Sequence, residues 1–133
     1  MFRSKILKYF VRARRPKKKI SVARRQQIEA ARVLVATKLI EWNTLYQFSY
    51  GKVFIKNQKT RWGSCSSKRN LNFNYKIIHL PPHLVDYLIV HELCHLEQMN
   101  HGPMFWALVA RALPNYADLR AELHAFPMPR KND

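Results

Sequence analysis

His91-Glu92-Leu93-Cys94-His95, followed six residues on by His101, is the stretch whose reading decides the fold. An α-helix advances about 100° per residue, so residues four apart stack on one face with side chains directed alike. On a helix, His91 and His95 therefore offer ring nitrogens to one tetrahedral ion. Glu92 lies one step round, able to reach a water on that ion without taking a ligand position. This division of labour suits hydrolysis. One Zn2+ lowers the pKa of its water from ~15.7 towards ~7, and the Glu92 carboxylate takes the proton as the water attacks a carbonyl. With six His and five Glu in 133 residues, the pattern is expected by chance about 0.01 times. The bland alternative is a buried helix carrying two hydrogen-bonded histidines. A third histidine just past the natural end of the helix argues against it, so His91, His95 and His101 are expected to hold the metal.

The helix around the motif is expected over residues 83–99. It is apolar on nearly every side, through Leu84, Val85, Leu88, Ile89, Val90, Leu93 and Leu96. Only Asp86 and Glu97 form a polar strip, so it reads as the central helix of its domain, with the catalytic face opening into a cleft. Pro81-Pro82 marks its start. Beyond Met99, Asn100 tolerates a left-handed turn and Gly102 gives slack, so that His101 points back at the metal. Pro103 then opens a helix carrying Phe105, Trp106, Leu108, Val109 and Leu113. Pro114 ends it, and a last helix spans 116–124. Upstream, residues 52–56, 60–66 and 71–76 read as three short strands separated by turn-like 57–59 and 67–70. In the third, Leu71, Phe73 and Tyr75 alternate with Asn72, Asn74 and Lys76, the pattern of a half-buried strand. Residues 21–48 predict a long scaffold helix capped by Ser21, whose stripe of Ile28, Val35, Leu39, Trp42 and Tyr46 packs on the sheet. The order of elements is that of an α+β fold: scaffold helix, short three-stranded antiparallel or mixed sheet, active-site helix and two C-terminal helices.

A chain of 133 residues, 47% apolar, makes one domain with one core. No apolar run approaches the ~20 residues of a membrane span. Two cysteines, Cys65 and Cys94, make no disulfide framework and fit a reducing, cytoplasmic setting. The formal charge of +16 is placed unevenly: residues 1–25 hold eleven Lys/Arg, and no acid appears before Glu29. Residues 1–20 read as a basic N-terminal arm in which Phe2, Ile6, Leu7, Phe10 and Val11 sit among cations. It lacks the continuous apolar run of a secretory signal. The compact domain is expected over 21–126 and a tail over 127–133. Residues 1–25 would engage nucleic acid or an anionic surface, with a solvated tail as the equal alternative. No feature specifies an oligomeric state.

Several segments beyond the histidines carry a resemblance. They are Thr60-Arg61-Trp62-Gly63-Ser64-Cys65, Asn72-Phe73-Asn74, Leu80-Pro81-Pro82, Asp86-Tyr87 leading into His91–His95, Asn100-His101, Phe105-Trp106 and Leu113-Pro114-Asn115-Tyr116. On these, residues 60–126 resemble the YgjP-like zinc metallopeptidases, relatives of the SprT-like proteases. The resemblance implies a small zincin-like domain, a peptide or protein substrate, one Zn2+ on His91, His95 and His101, and Glu92 as general base. The histidine spacing also equals that of metzincins, but Gln98 stands where those enzymes use glycine and no Met-turn follows. By analogy with the SprT-like relatives, the alternative is a nucleic-acid-associated protein, or a protease brought to DNA by the basic arm. Gly63 and Ser64, on a strand beside the metal, are expected to contact substrate, with Trp62 a core anchor and Cys94 a core residue. Tyr116 and Tyr75 are the alternatives for a hydrogen bond to the tetrahedral oxyanion. Asn74, Asp118 and Glu122 are the candidates for orienting the ligand histidines.

Overall fold

The computed structural model describes residues 19–128; residues 1–18 of the basic arm and 129–133 of the tail lie outside them. Helix α1 (Val22–Tyr46) starts where expected, with Ser21 Oγ accepting from the Arg24 N–H at 3.1 Å. It stops two residues short of Phe48 because Gln47 turns left-handed (φ 58°), and Asn43 binds both backbone groups of Phe48. Ala31, Val35, Leu39 and Tyr46 form its buried stripe. The helix packs chiefly on the active-site helix and on the 3-10 turn before it, and meets the sheet mainly at its first strand. The expected helix-on-sheet layer is thus mostly helix on helix.

The sheet is mixed. β1 (Val53–Lys56) runs parallel to β3 (Leu71–Asn74), and β2 (Gly63–Cys65) runs antiparallel to it, in the order β1-β3-β2. β3 is therefore central, and all four of its residues are buried where half-burial was expected. The strand also ends earlier than residue 76. Asn74 Oδ1 accepts from the Lys76 N–H at 3.1 Å and starts a 3-10 turn over Tyr75–His79. A local Asn cap overrides the alternating pattern. β2 keeps only three of the seven residues predicted for it, and its outer edge pairs with no strand among the described residues.

Helix α2 (Pro82–His95) carries the motif, with Pro82 in its first turn, where the missing N–H costs nothing. Asp86 is not a solvent-facing strip: it accepts from Trp42 Nε1 at 3.0 Å and pairs with Lys38 Nζ at 3.0 Å, tying α2 to α1. The helix ends at His95, four residues before Met99. The Leu96 N–H turns back to Leu93 O, and the Glu97 and Gln98 N–H groups both return to Cys94 O. Arg69, itself at φ 66°, holds this end by donating to Leu96 O (3.0 Å) and, with its other nitrogens, to Ser49 O. The expected left-handed turn at Asn100 is absent, since Gln47 and Arg69 are the only described residues with positive φ. Gly102 has an extended backbone with open space where a Cβ would be.

Helices α3 (Pro103–Ala112) and α4 (Tyr116–Ala125) both pack on α2. Phe105 and Val109 from α3 and Leu119 from α4 complete a core with Leu84, Ile89, Leu93 and Cys94. Burial of each such aliphatic or aromatic side chain contributes about 1.5–3 kcal/mol. No described helix is long and apolar enough to cross a membrane.

Candidate active site

The last turn of α2 presents His91 and His95, and the bend after it returns His101 to the same point. His91 Nε2 lies 3.1 Å from His95 Nε2 and 3.2 Å from His101 Nε2. A tetrahedral zinc with Zn–N of about 2.0–2.1 Å sets its nitrogens roughly 3.3–3.4 Å apart. The opposite ring nitrogens are engaged elsewhere. His95 Nδ1 faces the Gln98 carbonyl at 3.0 Å, and His91 Nδ1 faces Tyr87 Oη at 3.2 Å. A carbonyl only accepts, so His95 carries its proton on Nδ1 and presents an Nε2 lone pair.

Burial pushes His91 down to about 3, with the fields of His95, His101 and Arg120 adding to it. His95 is lowered as well, again chiefly by burial. Both rings are therefore neutral across the physiological range, which is the form that binds metal. Lone pairs this close repel one another unless a cation lies between them, so the donor set fits one small divalent ion.

Glu92 is 4% exposed, and burial raises its carboxyl to about 8 against the opposing field of Arg61. A Cβ at Gly63 would sit 3.1 Å from Glu92 Oε2, 3.3 Å from its Cγ and 3.0 Å from Asn72 O. Glycine at that position is what lets β2 lie against the carboxylate. Phe105 underlies the cluster, stacked on His95 with centroids 4.4 Å apart and edge-on to His91 and His101 at 5.0 Å.

The site opens into two lobes. The larger, about 660 Å³, runs between residues 60–63 and the C-terminal end of α4; the smaller, about 250 Å³, is lined by Ser64, Cys65 and Met99 beyond the histidines. Gly63 borders both lobes and Ser64 the smaller one, so both expected substrate-contact residues lie on the cleft wall. Trp62 packs half-buried against the core, as expected, and also lines the larger lobe, edge-on to Phe126 at 6.2 Å.

Other expected site residues are placed elsewhere. Tyr75 is 1% exposed in the 3-10 turn, and Tyr116 stacks on Trp106 (5.0 Å, 15°); neither lines a lobe. Asn74 is turned to the Gln58 and Arg61 carbonyls, ordering the loop before β2. Glu122 pairs with His83 at 2.7 Å, and Asp118 is exposed. The histidines are oriented instead by Tyr87 and by the Gln98 carbonyl. Tyr87 precedes His91 by four residues, a spacing that could have revealed it, whereas a backbone carbonyl leaves no mark in the sequence.

Comparison with known proteins agrees with this geometry. The family description "YgjP-like, metallopeptidase domain" matches residues 1–126. Among solved structures, the metallopeptidase zymogen abylysin of Pyrococcus abyssi superposes with a TM-score of 0.61 at 21% identity, over 67% of this chain and 90% of that one. The zymogen jannalysin of Methanocaldococcus jannaschii does so with 0.55 at 24% identity, over 71% and 93%. At these identities the two structures establish a shared zincin-like fold. Comparison with curated proteins gives no match.

Proposed function

The chain belongs to the YgjP-like metallopeptidase family, and from that premise we propose that it hydrolyses peptide bonds with one zinc ion held by His91, His95 and His101 and with Glu92 as general base. The observation that carries the reading is the convergence of three Nε2 atoms beside a buried carboxylate at the wall of an open cleft. Three protein ligands leave a coordination position open, the mark of catalytic rather than structural zinc. When bound, the ion supplies Lewis acidity to a water and to the scissile carbonyl.

The protein's own groups do the rest. A Glu92 carboxylate oxygen takes the proton from the attacking water and passes it to the leaving amine, and burial raises its basicity towards that task. The open edge of β2, beginning at Gly63, suits a substrate backbone bound as an added strand. Residues 21–126 would form the peptidase domain and residues 1–20 an appended arm. Replacing Glu92 by Gln should leave one zinc per chain but lower hydrolysis of an unfolded protein roughly 1,000-fold. Wild-type turnover in that variant would remove the assigned base.

A second reading is favoured by charge: eleven cations before the first acid support recruitment of the peptidase to an anionic polymer. DNA binding should then weaken steeply with salt and vanish when residues 1–19 are deleted. Binding indifferent to salt or to the deletion would discard it.

A further inference from the structure

The larger lobe is apolar over much of its wall, through Trp62, Leu88, Leu123 and Phe126. Apart from Glu92 at the reacting centre, the lining groups with a fixed charge are two arginines. Arg61 comes from the segment leading into β2 and Arg120 from α4. No carboxylate among the described residues is within ion-pair distance of either. Five described acids, Glu29, Glu41, Asp86, Glu97 and Glu122, are paired with other cations, and Asp118 is exposed and does not line the lobe.

Arg61 is anchored through its backbone and Arg120 through its side chain. The Arg61 backbone carbonyl accepts from Asn74 Nδ2 at 3.0 Å, and the Arg120 guanidinium lies over the Trp106 ring, 5.0 Å from its centre. A guanidinium in contact with an aromatic ring still carries N–H groups that can grip a carboxylate bidentately. The two charges also reach the reacting groups, Arg61 acting on Glu92 and Arg120 on His91 and Tyr87.

We propose that this lobe selects substrates carrying a carboxylate on the α4 side of the scissile bond, gripped by Arg61 and Arg120. The inference rests on the peptidase reading above and adds the chemical class of substrate to it. A carboxylate reaches that place in two ways, as an Asp or Glu side chain or as the free C-terminus of a short peptide.

The test uses the full-length, zinc-loaded protein and matched quenched fluorescent peptides. They carry Glu, Gln or Lys at one position on either side of the cleaved bond, each with a free or an amidated C-terminus. Glu peptides should be cleaved with a kcat/KM about tenfold above their Gln counterparts, mostly through KM, and Lys peptides should fall below both. If the free C-terminus is the source, the tenfold step appears between acid and amide termini instead. In Arg120→Ala and Arg61→Ala the preference should shrink towards unity, and Arg120→Lys should restore part of it.

Equal handling of Glu and Gln peptides with indifference to the terminus, or a preference unmoved by either arginine substitution, overturns the proposal. A parallel binding measurement by fluorescence anisotropy on zinc-loaded Glu92→Gln protein keeps the two readings apart. If wild type cleaves no peptide, the peptidase reading fails. Equal binding of acidic and neutral peptides then sinks the inference too, and tighter binding of the acidic ones upholds it.

Discussion

His91 and His95 share a small volume with His101, yet the pair and the single ring are held in different ways. The pair rises from consecutive turns of a buried helix, and each Nδ1 has a partner: the Tyr87 hydroxyl for one, the Gln98 carbonyl for the other. His101 sits exposed on a bend. Its backbone carbonyl accepts from Trp106 Nε1 at 3.1 Å, and its ring lies nearly parallel to the same indole, 25° at 5.9 Å. Two proposed ligands are thus positioned by the core of the fold, and the third by one aromatic neighbour on the next helix. Metal would settle the exposed ring more than the other two, because binding energy orders whatever the fold has left free.

Breaking each half in turn should expose the asymmetry. His91→Ala removes the ring that both other histidines face, and should abolish zinc binding at micromolar metal together with all hydrolysis. His101→Ala leaves the helical pair intact and should weaken zinc by roughly 100-fold while retaining measurable binding. Titration with zinc against a competing chelator would check both. Equal, complete loss in the two variants would mean that the core-held pair is no better prepared than the bend.

A gentler change tests the support behind the pair. Tyr87→Phe deletes the hydroxyl facing His91 Nδ1 but keeps the ring, which is edge-on to the imidazole at 5.6 Å. Zinc affinity should fall about tenfold, the low end for an orienting partner. The counterpart on His95 is a backbone carbonyl, which no side-chain substitution removes. An unchanged affinity in Tyr87→Phe would assign the orientation of His91 to ring packing against residue 87, Phe105 and Trp106.

The same asymmetry explains which parts were legible in the sequence. The His91–Glu92–His95 face follows from helix periodicity, a local property, and the three helices from 82 onward begin at or near their Pro and Asn signals. The end of α2 was not legible. Its apolar pattern runs on through Leu96, whereas the chain turns at His95, held by Arg69 from another loop. Nor could the sequence place Gly63 against Glu92, a contact between a strand and a helix 29 positions apart that depends on the register Gly63↔Phe73. Tyr75 and Tyr116 had suitable chemistry at unsuitable places. One is sealed into the 3-10 turn that the Asn74 cap creates, and the other lies behind Trp106. Side-chain type is written in the sequence, and proximity across elements is not.

The smallest effect sets the two adjacent residues at the centre of the motif against each other in the metal-free protein. Burial raises the Glu92 carboxyl from its ordinary 4.5, the value in the unfolded chain, to about 8 in the folded one. Between those values the folded chain keeps a proton that the unfolded chain has lost, so stability falls as pH rises. His91 behaves oppositely, at about 3 folded against its ordinary 6.5. Between those values the unfolded chain takes a proton that the folded chain refuses, so stability rises with pH, and lowered His95 adds to the same slope. Each group contributes at most roughly 1.4 kcal/mol per pH unit within its window. The slopes oppose one another from 4.5 to 6.5, and above 6.5 only that of Glu92 remains. Metal-free protein should therefore lose stability from pH 6.5 to 8, by about 1–2 kcal/mol. Urea unfolding after chelation reads this as a falling midpoint in wild type and a flatter one in Glu92→Gln. An equal fall in both would mean that solvent reaches the carboxylate once the metal is gone, and that the base is buried only in the assembled site.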